Sequence, residues 1–311
     1  MKSALLAVAI LLLNSSAYCQ QEAKVLVDIF TNSHCSPCAT MHGAVNSSIT
    51  STARGKNVIV VYNHMSTYQD DPIYQANTTQ PRLRATWLGG VSGTPTTFFN
   101  GVRQTGSYSQ WPSLLDGLIA ASPRYSIVPV LTYTADSLIL SYTISRSSVD
   151  GNPSVYGVLV ENVTYKGRNG VSDHDGAMRA LFTLVEGNQL SFNGDNVATG
   201  RIALARQGLW DITKLRVVVS VQDPSSKKSL QAQQVSAQMA TDVDESSLES
   251  SVPATVEVVS VSGSIISRQD GMLSDNNGIV AQVTSQLSSG AYFVRIVRGT
   301  NVTVRSIAIT R

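Results

Sequence analysis

The sequence feature that most constrains the fold is a Cys-x-x-Cys motif, Cys35-Ser36-Pro37-Cys38, placed between two segments of different periodicity. The residues before it, Val25 to Phe30, form a mainly apolar run of strand length. After it, Met41 and Val45 continue from Cys38 at helical spacing. The sequence therefore predicts a buried strand, a short loop and a helix, with the first cysteine where the helix begins.

That position favours thiol chemistry. At a helix N-terminus, unpaired backbone N–H groups and the helix dipole favour an anion. They would lower the pKa of the Cys35 thiol and favour the thiolate, which is the reacting species. The two-residue spacing lets Cys38 reach Cys35 and resolve a mixed disulfide, and Pro37 stiffens the loop in the first helical turn. We therefore predict that Cys35 is the nucleophile and Cys38 the buried resolving thiol.

The N-terminus has the pattern of a secretory signal peptide. After a lysine, Ala4 to Leu13 is an unbroken apolar run, and the small residues Ala17 and Cys19 fit the positions before a cleavage site. A membrane anchor is one alternative, but the run is far shorter than the roughly 20 residues that a spanning helix needs. Lipidation at Cys19 is another, which the bulky Tyr18 disfavours. We predict export from a Gram-negative cell, removal of residues 1–19, and no transmembrane helix.

The cysteine count then argues against a purely structural motif. The chain has three cysteines, and removal of the signal peptide leaves Cys35 and Cys38. A secreted scaffold held by disulfides would carry several well-separated pairs. This pair closes a tiny loop, so it constrains very little of the unfolded chain. Stability is therefore a poor explanation for it.

Beyond the motif, the sequence divides into segments of different character. Strand and helix signals alternate over residues 24–121, including a strand at Val58 to Tyr62 and a hairpin around Asn100-Gly101. Helices are predicted from Pro81 and from Ser109. Later segments are β-rich with many turns, and an antiparallel sandwich is the simplest architecture. We predict a signal peptide at 1–19, an α/β domain at 20–123, a β-sandwich at 124–240, an acidic, serine-rich linker at 241–252 and a third β unit at 253–311.

A second element strengthens the cysteine motif. Gly93-Thr94-Pro95 lies immediately before the hairpin, about sixty residues downstream. In this layout Pro95 would be cis, which would place the Thr94 backbone beside the cysteines, where it could pair with an extended substrate strand. An ordinary loop proline is the alternative.

The segments VLVDIFTNSHCSPC and VSGTPTTFFNG resemble the active-site strand and the cis-proline loop of the thioredoxin family. The resemblance covers residues 24–121 and implies a thioredoxin-like fold with a redox-active centre and thiol–disulfide exchange. Asp28 would correspond to the family's buried carboxylate, which handles the proton of the resolving cysteine. It lies one residue further from the first cysteine than is usual, and His34 replaces the family's common tryptophan.

The histidines leave alternatives open. As an imidazolium beside Cys35, His34 would stabilise the thiolate, and otherwise it is a polar loop residue. His42 falls one helical turn after Cys38 and His64 follows the second strand, so with the thiols they suggest a copper or zinc site. The four histidines of the chain show no dedicated ligand spacing. We predict no cofactor and no metal.

The C-terminal stretch resembles the sorting domain of the type IX secretion system of the phylum Bacteroidota. The matching residues are Leu287 to Phe293, the Ser262-Gly263 turn and the basic end at Arg311. The resemblance implies export through the outer membrane by the type IX machinery, removal of this domain, and release or attachment at the surface. The whole arrangement also resembles Omp-twenty-eight-type outer-membrane proteins.

These observations favour one function and leave a second open. The fold class is an α/β thioredoxin-like domain followed by an all-β sandwich and a small C-terminal β-sandwich sorting domain. The leading hypothesis is an exported thiol–disulfide oxidoreductase that exchanges disulfides with protein substrates. The alternative is a surface binding or adhesion protein whose Cys-x-x-Cys is a vestigial disulfide. A formal charge of +2 gives no electrostatic case for nucleic acid.

Overall fold

The computed structural model describes residues 21–149, 151–239, 253–260, 265–272, 287–288, 290–298 and 301–309. The predicted signal peptide and linker, the Ser262-Gly263 turn and Arg311 lie outside the described residues. Within the described part of the chain, no helix is both long and apolar enough to cross a membrane.

The α-helices of the described residues lie in the N-terminal segment, and each has a proline in its first two positions, where a missing N–H costs nothing. They are α1 (Ser36–Val45), α2 (Pro72–Gln75), α3 (Gln80–Trp87) and α4 (Trp111–Ile119). A π-helical turn, Asn46–Thr50, extends α1, and 3-10 turns occur at Ala53–Lys56, Tyr108–Gln110 and Ile212–Lys214. The helices predicted from Pro81 and Ser109 are therefore present as α3 and as a 3-10 turn followed by α4.

Strands make up most of the regular structure of the described residues. They are β1 (Val25–Thr31), β2 (Val58–His64), β3 (Thr96–Phe99), β4 (Val102–Gln104), β5 (Tyr125–Tyr133), β6 (Ser137–Arg146), β7 (Ser154–Thr164), β8 (Asp173–Leu181), β9 (Asn188–Gln189), β10 (Val197–Ala205), β11 (Leu215–Asp223), β12 (Lys228–Ser236), β13 (Gln238–Met239), β14 (Pro253–Ser260), β15 (Ile265–Met272), β16 (Gly290–Arg298) and β17 (Asn301–Ile309).

The first sheet runs through both the N-terminal segment, residues 21–123, and the middle segment, residues 124–239. Its order is β12-β11-β7-β8-β2-β1-β3-β4, with β9 paired to β7. β1 and β2 are parallel, β3 is antiparallel to β1, and β3 and β4 form the predicted hairpin. Asn100 and Gly101 both have positive φ, which is what the tight hairpin turn requires. β8 joins β2 in parallel at Tyr62 and Ala177, so the two segments share one sheet across residue 123.

Two helices cover one face of β1, and a third helix covers the other. Val27 and Ile29 pack in one core with Met41 of α1 and with Trp111 and Leu115 of α4. On the opposite face, Phe30 packs with Ala85 and Leu88 of α3 and with Phe98. Successive side chains of a strand point to opposite faces, so Val27 and Ile29 of β1 face α1 and α4, and Phe30 faces α3.

The middle segment closes as two packed sheets. The second sheet has the order β13-β5-β6-β10-β17-β16-β14-β15. Leu140 and Ile144 of β6 share a core with Leu159 of β7 and with Val217 and Val219 of β11, which belong to the first sheet. Strands β14–β17 extend the second sheet through a parallel pairing of β17 with β10. The C-terminal strands therefore continue the second layer of the predicted sandwich.

Candidate active site at the cysteine pair

The two cysteines lie at the start of α1. Cys35 is the N-cap residue with extended backbone (φ −80°, ψ 114°), and Pro37 occupies the first turn. Cys35 and Cys38 form a disulfide with an S–S distance of 2.15 Å and a Cα–Cα distance of 5.3 Å. Cys38 is fully buried and Cys35 is 2% exposed, whereas Ser36 and Pro37 are exposed. The chain therefore places Cys35 where helix N–H groups can stabilise a thiolate.

The Thr94-Pro95 peptide lies against this pair. It is cis, and the Thr94 carbonyl oxygen is 3.7 Å from Cys35 Sγ. The Thr94 hydroxyl is also 2.9 Å from the Thr67 hydroxyl, which joins it to the loop after β2. A cleft of about 310 Å³ opens at Pro95 between β3, the loop after β4, and Trp111. The structure thus brings together the two sequence elements that were separated by sixty residues.

His34 is buried between two segments of the chain. Its Nδ1 is 3.3 Å from Asp70 Oδ1, and its Nε2 is 3.2 Å from the Tyr165 hydroxyl. Its backbone N–H donates to Asn32 Oδ1 at 2.9 Å. Arg168 forms an ion pair with the same Asp70 carboxylate. His34 is therefore a connected part of the site and not a solvated loop residue.

Asp28 does not occupy the position that the resemblance implies. Its carboxylate forms a buried ion pair with Arg84 of α3, with Oδ2 2.8 Å from Nη2, and it also accepts a hydrogen bond from Asn63. The neighbouring Ile29 faces α1, so strand alternation turns Asp28 to the face that α3 covers. The one-residue offset in the sequence thus moves the carboxylate to the side of the sheet opposite α1.

A loop of the middle segment reaches the cysteine motif. The loop between β7 and β8, residues 165–172, is called here the β7–β8 loop. The Asn169 side chain donates to the carbonyl oxygens of Asn32 (3.3 Å) and Cys35 (3.2 Å), and its backbone N–H donates to Ser33 O (3.2 Å). The glycines Gly167 and Gly170 indicate a turn in the sequence, but no sequence pattern predicts that this turn contacts the cysteine motif.

Three histidines pack together behind the motif. The His174 ring lies 5.6 Å from that of His42 and 5.2 Å from that of His64, measured between centroids. His64 Nδ1 is 2.7 Å from Asp71 Oδ2, and each of the three rings has one buried nitrogen with no hydrogen-bond partner. Among the described residues, no three His, Cys, Asp or Glu side chains are grouped so that they could hold a metal ion.

Burial and neighbouring rings lower the pKa values of two of these histidines, His42 and His174. Burial, followed by the nearby His174 and His64, lowers the pKa of His42 to about 3. Burial and His64 lower the pKa of His174 to about 4. Burial alone would raise the pKa of Asp71, but the hydrogen bond and charge of His64 and the hydrogen bond from the Ser33 backbone N–H hold it below its usual range.

Comparison with known proteins supports the export signals. A secretion system C-terminal sorting domain matches residues 232–310, beginning within β12. The chain is therefore an exported protein that engages the type IX secretion machinery and is sorted to the cell surface or outer membrane. No curated protein matches the sequence.

Several solved structures match the chain, and two of them are proteins of one organism. HBP35 of Porphyromonas gingivalis is 15% identical with a TM-score of 0.61, and the match covers 93% of this chain and 99% of that one. A domain of the outer membrane lipoprotein Omp28 from Porphyromonas gingivalis is 14% identical, and the match covers 39% of this chain and 93% of that one. Its TM-score of 0.29 is too low to establish a shared fold. The similarity to HBP35 shows a shared fold over nearly the whole chain.

Proposed function

We propose that the chain is an exported thiol–disulfide oxidoreductase whose residues 20–123 form a thioredoxin-like domain. The observation that carries the proposal is the Cys35–Cys38 disulfide at the N-terminus of α1, with the Thr94 carbonyl 3.7 Å from Cys35 Sγ. A helix N-terminus favours the thiolate, and the neighbouring cis peptide offers backbone groups to a substrate strand. Its partners are protein thiols and disulfides.

The arrangement of elements around the motif supports this proposal. A parallel pair, β1 and β2, is extended by the antiparallel hairpin β3–β4, and α1 begins directly after β1. α1 and α4 pack on one face of β1 and α3 packs on the other. Export also supports a redox role, because disulfides persist outside the cytoplasm.

The proposed reaction needs no cofactor. In the reducing direction, the Cys35 thiolate attacks one sulfur of a substrate disulfide, a mixed disulfide forms, and the other substrate sulfur leaves as a thiolate. The Cys38 thiolate then attacks Cys35 Sγ, which re-forms the Cys35–Cys38 bond and releases the second substrate thiolate. Two electrons pass to the substrate, and the protons of the two thiols reach the released thiolates through solvent. Oxidation of a substrate is the reverse sequence.

The test is equilibration of the purified exported chain with mixtures of reduced and oxidised glutathione. We expect a reversible transition of the two thiols, measured by alkylation, in a protein whose circular dichroism stays folded. In the native envelope, Cys38→Ser should accumulate mixed disulfides with its substrates, and the matched Cys35→Ser variant should not. A disulfide that resists dithiothreitol until the protein unfolds would contradict the proposal, as would failure to exchange in either direction.

One observation favours a second function. Cys35 is only 2% exposed and Cys38 is fully buried, so a protein partner must displace part of the surrounding surface to reach a sulfur. A surface binding or adhesion protein with a permanently closed disulfide needs no such access. In that case Cys35→Ala leaves surface binding intact. The glutathione titration then shows no reduction of the disulfide while the protein stays folded.

A further inference from the structure

We propose that the β7–β8 loop is the second half of the redox site, with Asn169 and Tyr165 as positioning residues that set the reduction potential of the Cys35–Cys38 pair. This inference rests on the proposed function and assigns a role to the middle segment. The loop lies some 130 residues from the cysteines in sequence and contacts the motif through both backbone and side chains.

Asn169 binds the cysteine loop at three carbonyl groups, those of Asn32, Ser33 and Cys35. Its side-chain amide donates to the carbonyls of Asn32 and Cys35 at 3.3 and 3.2 Å, and its backbone N–H donates to the Ser33 carbonyl at 3.2 Å. These carbonyls belong to the turn that carries Cys35 into α1. One residue of the middle segment thus fixes the conformation of the motif's N-terminal side.

These hydrogen bonds act on the charge of the sulfur. Carbonyl oxygens carry partial negative charge, and a thiolate at Cys35 is repelled by those beside it. Asn169 brings N–H dipoles to two of them with its side chain, which offsets that charge in a buried site where such effects are strong. Because the disulfide is uncharged and the thiolate is not, the interaction stabilises the reduced form and makes the pair more oxidising.

Tyr165 provides a second link from the same loop. Its hydroxyl is 3.2 Å from His34 Nε2, while Asp70 lies 3.3 Å from His34 Nδ1. The two contacts hold the imidazole from opposite sides directly before Cys35. Arg168 binds Asp70 in turn, so the loop fixes both partners of the ring.

The contact is closely fitted. At Gly167 a Cβ atom would lie 2.0 Å from the Ser33 carbonyl oxygen, and the backbone cannot make room without moving the loop. Glycine is therefore required for the approach. A loop that merely lay over the motif would tolerate a methyl group there.

The experiment compares the glutathione equilibrium of the full exported chain with that of Asn169→Ala, Asn169→Asp and Tyr165→Phe. We expect Asn169→Ala to shift the equilibrium constant about tenfold towards the disulfide, or about 30 mV towards a more reducing pair. Asn169→Asp has the same shape but places a carboxylate at the carbonyls, so its shift should be larger. Tyr165→Phe, which keeps the ring, should give a smaller shift in the same direction.

The matched control is Asn193→Ala. The Asn193 side chain likewise hydrogen-bonds a loop backbone, accepting from the N–H groups of Asp195 and Val197 in another loop of the middle segment. It should lower the melting temperature without moving the equilibrium constant. The pKa of the Cys35 thiol in the reduced proteins, measured by the pH dependence of alkylation, should rise in the Asn169 variants and less in Tyr165→Phe, and should not change in Asn193→Ala.

The outcomes separate the two proposals. If the unmodified chain does not exchange with glutathione, the proposed function fails. If it exchanges, and folded Asn169→Asp and Tyr165→Phe variants keep its equilibrium constant and thiol pKa, the β7–β8 loop is only a structural support and the inference is overturned. Tyr165→Phe keeps this test decisive even where the Asn169 variants unfold.

Discussion

Two of the contacts between the middle segment and the N-terminal segment depend on different physical forces. Behind the sheet, the Arg84 guanidinium pairs with Asp28 and hydrogen-bonds Gln222 of β11, in contact with the Tyr156 ring of β7. At the motif, the β7–β8 loop uses the hydrogen bonds of Asn169, a close backbone approach at Gly167 and an exposed ion pair of Arg168 with Asp70. His42 and His174, whose pKa values burial lowers, pack alongside. We call these the Arg84 contact and the loop contact. The first depends on keeping a buried charge pair whole, and the second depends mainly on shape and on hydrogen bonds, since its ion pair is exposed.

Removing one charge of the Arg84 contact should have the largest effect. Arg84→Met leaves the Asp28 carboxylate buried without its cation, which typically costs 3–5 kcal/mol. We expect a loss of about 4 kcal/mol in the free energy of unfolding, measured by urea denaturation. Arg82→Met on the exposed side of the same helix is the matched control and should change little.

The double variant Asp28→Asn, Arg84→Met sharpens that result. If the ion pair contributes mainly by satisfying a buried charge, removing both charges should recover most of the stability. A double variant as unstable as Arg84→Met would instead assign the loss to the stacking of Arg84 on Tyr156 and Trp87.

Mild acid should lower the stability of the folded protein through the buried histidines beside the β7–β8 loop. The pKa values of His42 and His174 in the folded protein, about 3 and about 4, lie below the unfolded value of 6.5. The unfolded chain therefore binds more protons below pH 6.5, and the stability present above that pH is lost as pH falls towards the folded values. Between pH 6.5 and 5.5 the two residues together should cost about 2 kcal/mol, measured as the change in urea unfolding free energy.

His174→Gln tests the assignment. The variant removes one of the two titrating rings, so its loss over the same interval should fall to about half. An unchanged pH dependence would mean that other groups control the acid response and that the histidine cluster is not its source.

The smallest of these effects concerns the fit of the loop. Gly167→Ala forces a Cβ towards the Ser33 carbonyl, and overpacking of this kind costs about 1–3 kcal/mol. We expect about 1.5 kcal/mol by urea unfolding, together with a shift of the glutathione equilibrium in the same direction as Asn169→Ala. Gly208→Ala, where no atom lies within 4 Å of the added Cβ, is the control and should be near neutral in both measurements.

Local sequence patterns predicted the helices and strands but not the contacts between residues distant in sequence. The strand before Cys35, the helix after it and the Asn100-Gly101 hairpin follow from periodicity and turn chemistry within about ten residues. The contact of Asn169 with the motif joins residues 134 positions apart, and no periodic signal encodes it. The sequence brought His42 and His64 together near the cysteines but did not predict that His174 packs against both, because the three rings come from α1, β2 and β8.

Asp28 shows how parity limits a resemblance. Its residue type fits the family's buried carboxylate, but one position along a strand reverses the side chain's direction. The offset was visible in the sequence. The sequence did not show what the carboxylate would meet on the opposite face of the sheet. The structure shows that it pairs there with Arg84, which lies 56 residues downstream on α3.

The junction of β2 with β8 determines what any shortened form of this protein would present to its surroundings. A fragment ending at residue 123 would lose β8, and β2 would become an edge strand that lacks its partner at Tyr62. Its unpaired N–H and C=O groups would offer a template for another chain. Self-association of such a fragment, and its suppression when residues 124–239 are restored, is the behaviour that this shared sheet implies.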